Sequence, residues 1–253
     1  MATSMAVPVP EIQERDFALD WVKWLALVAM ILDHSWFILP PEWQEPGHGL
    51  RVAGRLAFPL FCLAIAANIA RQPAGFPTGL GRYLGGMLFF AMLSQPAYAK
   101  FFENGMLNIL FTLAVGLPIA AAVQHRTPAL IVGALVCTAV AYAYGSVLAY
   151  GTWGVLLPAV LVVAMRVRDS ELFQVMAIVS GMVALLANGA LLAVLRDLTP
   201  VQYSQVAAIA VAPLLGLLVL QVKAPPVRPV GRWMYAFYPL HLLVLSSLAI
   251  AWH

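Results

Sequence analysis

Asp33 and His34 stand side by side in MILDHSWFILP (Met30–Pro40), near the end of an apolar stretch that begins around Phe17. An aspartate at the centre of a bilayer costs about 2.5–3.5 kcal/mol on insertion scales, so such a pair persists where it faces protein or water and has a task. A neutral imidazole can take a proton from an attacking nucleophile near working pH. A carboxylate beside it can orient the site or support it electrostatically. Further along, RVAGRLAFPLF (Arg51–Phe61) supplies Arg51 and Arg55, one helical turn apart on a shared face. An arginine within the membrane needs a partner, and its planar guanidinium suits a carboxylate. Arg55 and Asp33 are therefore expected to pair.

Helical geometry says which other residues join them. Lys23 and His34 are eleven positions apart and fall within about 20° of each other, with Asp20 about 40° from His34, so the three form one polar stripe. Asp33 is turned about 100° away, toward a neighbouring helix. Gln95 in SQP, Asn108 and Thr112 in LNILFTL, Tyr150 and Trp153 in YGTWG, and Asn188 are expected at a similar depth. Polar side chains of this kind often bond helix to helix, but their agreement in depth points to a cavity lined by Asp33, His34 and Arg55. YAFYPLHLLVL (Tyr235–Leu245) adds Tyr238 and His241 at i,i+3, with Pro239 between them as a candidate kink. His241 reads either as a second histidine of the site or as a packing residue. His48, His125 and His253 are expected in loops or at the terminus. No spacing such as H-E-x-x-H suggests a metal.

The elements that must hold these residues follow from composition. Of 253 residues, 62% are hydrophobic and 10% charged, with mean hydropathy +0.88. Soluble domains carry about 25% charged residues. The expected fold is all-α: a polytopic transmembrane bundle of about nine helices forming one domain over 1–253. A span needs about 20 apolar residues. Candidates are 17–39, 51–70, 80–99, 106–123, 129–145, 152–166, 172–194, 203–222 and 231–251. The net charge of +3 gives no nucleic-acid signal. Glu11, Glu14, Arg15 and Asp16 do not form the basic start of a cleavable signal peptide. Cys62 and Cys137 both sit in apolar runs and read as buried thiols.

Lys and Arg set the orientation. With a cytoplasmic N-terminus, that side holds Arg15, Arg71, Arg82, Arg126, Arg166, Arg168, Lys223, Arg228 and Arg232, against Arg51, Arg55, Lys100 and Arg196 opposite. Asp33 and His34 then lie in the outer half of the first helix.

LDWVKWLALVAMILDHSWFILP, RVAGRLAFPLFCLAIA, LSQP, LNILFTLAVGLP, YGTWGVLLP and YPLHL together resemble the TraX family of conjugal pilin acetylases. The most specific parts are Lys23, Ala26, Ala29, Met30, Asp33 and His34 at their spacing, and GRLAFPLF. The resemblance covers most of the chain. It implies an inner-membrane enzyme that moves acetyl from acetyl-CoA to the amino terminus of a processed pilin subunit. The family is distantly similar to multi-pass membrane acyltransferases, which carry a functional histidine in an early helix. On this reading His34 is the general base, supported by Asp33 and Arg55. Lys23, Gln95, Asn108, Asn188, Tyr238 and His241 face substrate, and no metal is needed. Arg71, Arg82, Arg166, Arg168, Arg228 and Arg232 are candidates for the phosphates of CoA, although the positive-inside rule already accounts for them. The alternatives are an O-acyltransferase acting on a periplasmic glycan or lipid, and a non-enzymatic pilin assembly factor. A small-solute transporter fits less well, because the sequence has no inverted repeat.

Overall fold

The structure is a computed structural model that describes residues 17–73, 75, 77–190, 198–231 and 233–252. Each of the nine expected segments contains a helix among its described residues. The helices are α1 (Phe17–Trp36), the short α2 (Pro41–Gln44) and α3 (His48–Gly54), α4 (Ala57–Ala70), α5 (Leu80–Phe102) and α6 (Ile109–His125). There follow α7 (Pro128–Tyr144), α8 (Gly151–Arg166), α9 (Leu172–Ala187), α10 (Pro200–Val219) and α11 (Trp233–Trp252). The described residues contain no β-strand; an isolated bridge between Leu107 and Leu148 joins two loops. Among the described residues, three helical stretches are long and apolar enough to cross a membrane: His48–Ala70, Pro128–Val147 and Pro200–Val219.

The second expected span differs from its prediction. It starts at His48 and breaks between α3 and α4, at Arg55 and Leu56. Pro59 explains the break: it has no N–H to give the carbonyl four residues back, which belongs to Arg55. Arg55 therefore sits at a helix junction rather than within a regular helix. The third span runs three residues past its expected end, to Phe102. The seventh ends at Ala187, and residues 191–194 of its prediction lie outside the described residues.

The core centres on α4. Phe58, Leu60, Cys62, Leu63, Ala66 and Ile69 are all buried, and α4 packs against α1, α6, α8 and α10. Small residues let the backbones come close, as they do between membrane helices. A side chain at Gly116 of α6 would meet the carbonyl oxygen of Val155 of α8. The periphery is apolar instead of polar: Val132, Leu135 and Val136 of α7, and Val175 and Ile178 of α9, are exposed. Soluble monomers rarely present such a contiguous surface, whereas lipid requires it. The chain is a membrane protein.

The ends of the helices sort into two layers. One gathers the C-terminal ends of α1, α5 and α9 with the α3–α4 junction and the starts of α6 and α8 around a single cavity. The other gathers the C-terminal ends of α4, α6, α8 and α10 around Arg71, Arg166 and Arg168. The chain thus alternates in direction, as the spacing of basic residues requires.

Candidate functional site

Asp33 and His34 point to different neighbours, as the 100° step between them dictates. Asp33 faces the α3–α4 junction. Its Oδ1 accepts from Arg55 Nη2 at 2.7 Å and from Arg51 Nη1 at 3.0 Å. The expected Arg55–Asp33 pair is present, and Arg51 completes it. One carboxylate between two guanidiniums leaves the cluster with one net positive charge. Arg51 is further held by Trp36 and Phe37, whose ring centres lie 5.1 and 4.5 Å from its guanidinium carbon. Gly54 makes the approach of α3 to α1 possible, because a Cβ there would collide with Asp33. Arg55 Nε is buried and has no hydrogen-bond partner among the described residues. A buried, unpaired guanidinium N–H is costly unless something else binds it.

His34 turns toward α11. Its Nδ1 lies 2.8 Å from His241 Nε2, and the two rings are within 6° of parallel. His241 Nδ1 in turn lies 3.1 Å from the carbonyl oxygen of Phe237, one turn earlier. Phe101 and Phe102, at the extended end of α5, pack their rings on His34 at 5.8 and 5.3 Å. His241, read from sequence either as a second histidine of the site or as a packing residue, contacts His34 but lines neither chamber.

A cavity of about 310 Å³ is lined by Asp33, His34, Arg51 and Arg55. Tyr150 and Asn188 reach the same cavity. Tyr150 is fixed by stacking on Phe58 at 3.7 Å, with its backbone in the left-handed region at φ 66°. Asn188 gives its amide to the carbonyl of Ala184, at 2.9 Å.

A second cavity, of about 260 Å³, adjoins the first. Met30, Phe61, Ile109 and Tyr238 line both and form the partition between them. Its own polar wall is Lys23, Asn68, Tyr83 and Tyr235, where Tyr83 hydrogen-bonds Asn68 and Tyr235. Lys23 lies 4.0 Å from Asp20, whose Oδ1 accepts from the backbone N–H of Val230. The predicted stripe on α1 is therefore correct as a face, but it serves two chambers. Lys23 lines the second, Met30 both, and His34 the first.

Gln95 and Asn108 depart from expectation and line neither chamber. Gln95 Oε1 accepts from both the backbone N–H and the side-chain amide of Asn108, each at 2.9 Å. Gln95 Nε2 donates to Met106 O, and Asn108 Nδ2 also donates to Ala91 O. Asn108 Oδ1 caps α6 by accepting from Leu110 N–H. Their hydrogen-bonding groups are occupied in joining α5 to α6, which leaves little for a substrate. Thr112 likewise donates to Ala149 O. Trp153 is exposed.

The six arginines proposed for phosphate do not converge. Arg71, Arg166 and Arg168 share one cleft at the opposite end. Arg166 Nη1 donates there to the carbonyls of Val123 and Gln124 at the end of α6, and Arg168 lies 3.5 Å from Asp169. Arginines at helix C-termini satisfy free carbonyls and the helix dipole, so Arg166 is committed structurally. Arg82 and Arg228 are exposed elsewhere on the surface, Arg82 next to Tyr83 and Arg228 two residues before Val230 of the second chamber. Arg232 lies outside the described residues. His125, expected in a loop, instead ends α6, buried, with neither ring nitrogen partnered among the described residues.

Arg51, Asn68, Tyr83, Phe101 and Phe102 are among the site residues that sequence reasoning left out. Arg51 carried a signal, since it shares a face with Arg55. The phenylalanines carried none, because nothing local says that α5 continues to Phe102.

Comparison with known proteins follows this geometry. The chain is 29% identical over 250 residues to a protein of Dichelobacter nodosus named "Probable fimbrial assembly protein FimC, serogroup H1", covering 92% of this chain and 96% of that one. It is 30% identical over 240 residues to "Protein TraX" of Escherichia coli, covering 91% and 87%. No solved structure matches it. The family described as TraX protein matches residues 18–249, which include every residue of both chambers. The chain belongs to the TraX family.

Proposed function

We propose that this protein matures pilin, and does so as an N-acetyltransferase that moves acetyl from acetyl-CoA to the terminal amine of a processed pilin. The observation that carries the reading is the juxtaposition in the first chamber: a histidine beside a net-positive carboxylate–guanidinium cluster whose Arg55 Nε has no partner. Acyl transfer needs a base for the incoming amine and a donor for the oxyanion of the tetrahedral intermediate. His34 and Arg55 supply these two functions. Asp33 and Arg51 hold Arg55 in place. The family and the two relatives named for TraX and fimbrial assembly support pilin as the acceptor class.

The two chambers support separate entry of the two substrates. Lys23 and His34 are about 16 Å apart along α1 by helix rise, comparable with a pantetheine arm. The thioester arm would occupy the second chamber and pass the Met30–Tyr238 partition. Arg82 and Arg228 would meet the charged end of CoA on the surface. The amine attacks the thioester carbon as its proton passes to His34. The C–N bond forms, the C–S bond breaks, and the departing thiolate takes up the proton. On this reading the reaction runs in the bacterial inner membrane, with the acceptor on the periplasmic side.

The test is transfer of labelled acetyl from acetyl-CoA to a pilin peptide with a free amino terminus, by the protein purified in lipid nanodiscs. Mass spectrometry of pilin from cells with and without the protein accompanies it. Appearance of one acetyl group on the terminal amine is the expected result. Unmodified pilin that nonetheless fails to assemble without the protein would favour a non-enzymatic assembly factor. Acetyl found on a periplasmic glycan or lipid would move the acceptor.

A further inference from the structure

The hydrogen bonds around His241 define where each proton sits. Its Nδ1 faces the Phe237 carbonyl at 3.1 Å. A carbonyl only accepts, so that nitrogen carries the hydrogen. A neutral imidazole has one N–H, which leaves His241 Nε2 as an acceptor. This nitrogen lies 2.8 Å from His34 Nδ1, so the hydrogen between them belongs to His34. His34 Nε2 is then bare. It has no protein partner among the described residues, and His34 lines the first chamber. Around the pair, α5 contributes Phe101 and Phe102, and α11 contributes Phe237 and Tyr238. His241 itself does not line the first chamber.

We infer that His241 is a positioning residue that acts through His34: it fixes His34 in the tautomer with a basic Nε2 and accepts the Nδ1 proton when Nε2 is protonated. The inference rests on the acyl-transfer reading for its kinetic part only. The incoming amine gives its proton to His34 Nε2. The Nδ1 hydrogen of His34 can then cross 2.8 Å to His241 Nε2. That histidine now holds both of its hydrogens, and His34 is neutral again. Return of the hydrogen to His34 Nδ1 lets Nε2 give its proton to the leaving thiolate, which restores the starting state. Only one extra proton fits the pair, since two would set N–H against N–H across the bond.

The first experiment reads the tautomer directly. Nitrogen NMR of the whole protein in nanodiscs, labelled at histidine, is compared with His34→Gln to identify the His34 signals. The expected pattern is a protonated Nδ1 and a bare Nε2 on His34. A His34 ring protonated on Nε2 in the resting protein overturns the inference, whether or not acetyl transfer is ever observed. The second experiment reads kinetics per mole of folded protein, with acetyl-CoA and pilin peptide. His241→Leu removes the acceptor, and kcat is expected to fall about 10²-fold with KM for the peptide nearly unchanged. His241→Gln keeps a carbonyl that can accept from His34 Nδ1 but cannot hold a proton, so its kcat is expected to lie between the two. Equal kcat in wild type, His241→Gln and His241→Leu also overturns the inference. If His241→Leu does not fold, the wild-type spectrum and His241→Gln decide.

Discussion

Arg55 Nη2 stands 2.7 Å from Asp33 Oδ1, and Arg51 reaches the same oxygen at 3.0 Å. The three charges do not weigh equally. Removing Asp33 leaves two guanidiniums facing each other in a half-dry site. Removing Arg51 leaves an ordinary one-to-one pair. Loss of one member of a buried pair costs about 3–5 kcal/mol when the remaining charge is uncompensated. Folded yield in detergent is therefore expected to fall most for Asp33→Asn, less for Arg55→Gln and least for Arg51→Gln. The triple change should recover part of the Asp33→Asn loss. A triple variant that folds worse than Asp33→Asn would contradict this account.

Gly54 gives a steric test of the same cluster. A methyl group at this position must displace Asp33. Overpacking of this kind costs about 1–3 kcal/mol, and here it also shifts the partner of both arginines. Gly54→Ala is expected to lower thermal stability and to reduce activity by more than the stability loss explains. The change Gly49→Ala on the same helix meets no neighbour and should do neither. Thermal melts and turnover for the two variants make the comparison.

His34 tests the chemistry. As a general base, its change to Ala should leave folding intact while turnover falls by about 10²–10⁴. His34→Gln should not rescue, because an amide does not take up a proton at neutral pH. Turnover per mole of folded protein separates this from a packing role, which predicts poor yield with normal specific activity in what survives.

Gln95 and Asn108 predict the opposite behaviour. Their mutual bonds tie α5 to α6 and cap α6. Asn108→Ala removes the cap, at about 1 kcal/mol, and takes away the side-chain amide bonds to Gln95 Oε1 and Ala91 O, leaving Gln95 Oε1 only the backbone N–H of residue 108. The expected result is reduced folded yield with near-normal specific activity. A selective loss of activity would return Asn108 to the substrate site.

Orientation is checked with single cysteines and a membrane-impermeant thiol reagent, in a background where Cys62 and Cys137 are replaced. Positions in the 40–50 loop should label from the periplasm, and positions near Arg71 only after the membrane is opened. The reverse pattern would invert both chambers.

The polar residues of α1 and the Arg51–Arg55 turn were readable from sequence because helical rotation alone fixes their relative directions. The Asp33–Arg55 pairing followed from the cost of an unpaired charge in the membrane. What sequence left open was long-range. His241 sits on α11, and whether it faces His34 or the lipid depends on how α11 rotates, which no local pattern sets. Gln95 and Asn108 were given the right depth but the wrong task, since depth says nothing about which hydrogen bonds the backbone already uses. The arginines failed as a group for a related reason. A positive-inside count records which side of the membrane a charge is on, and Arg166 was already engaged by the carbonyls closing α6.

Helix α1 is clasped at one end by α11 and at the other by the segment that leads into α11. Trp21 and Trp24 donate to the carbonyls of Pro225 and Arg228, Asp20 accepts from Val230, and His34 meets His241. The histidines are 207 positions apart. A ribosome delivers His34 early and its partner only after every intervening helix has been threaded into the bilayer. Throughout synthesis the half-built bundle therefore holds His34 without its partner on the last helix. A chain arrested before Pro225 leaves its first helix unclasped, without these partners for Asp20 and both tryptophans. Biogenesis and pairing are thus linked by timing: His34 meets His241 only when the last helix enters the bundle.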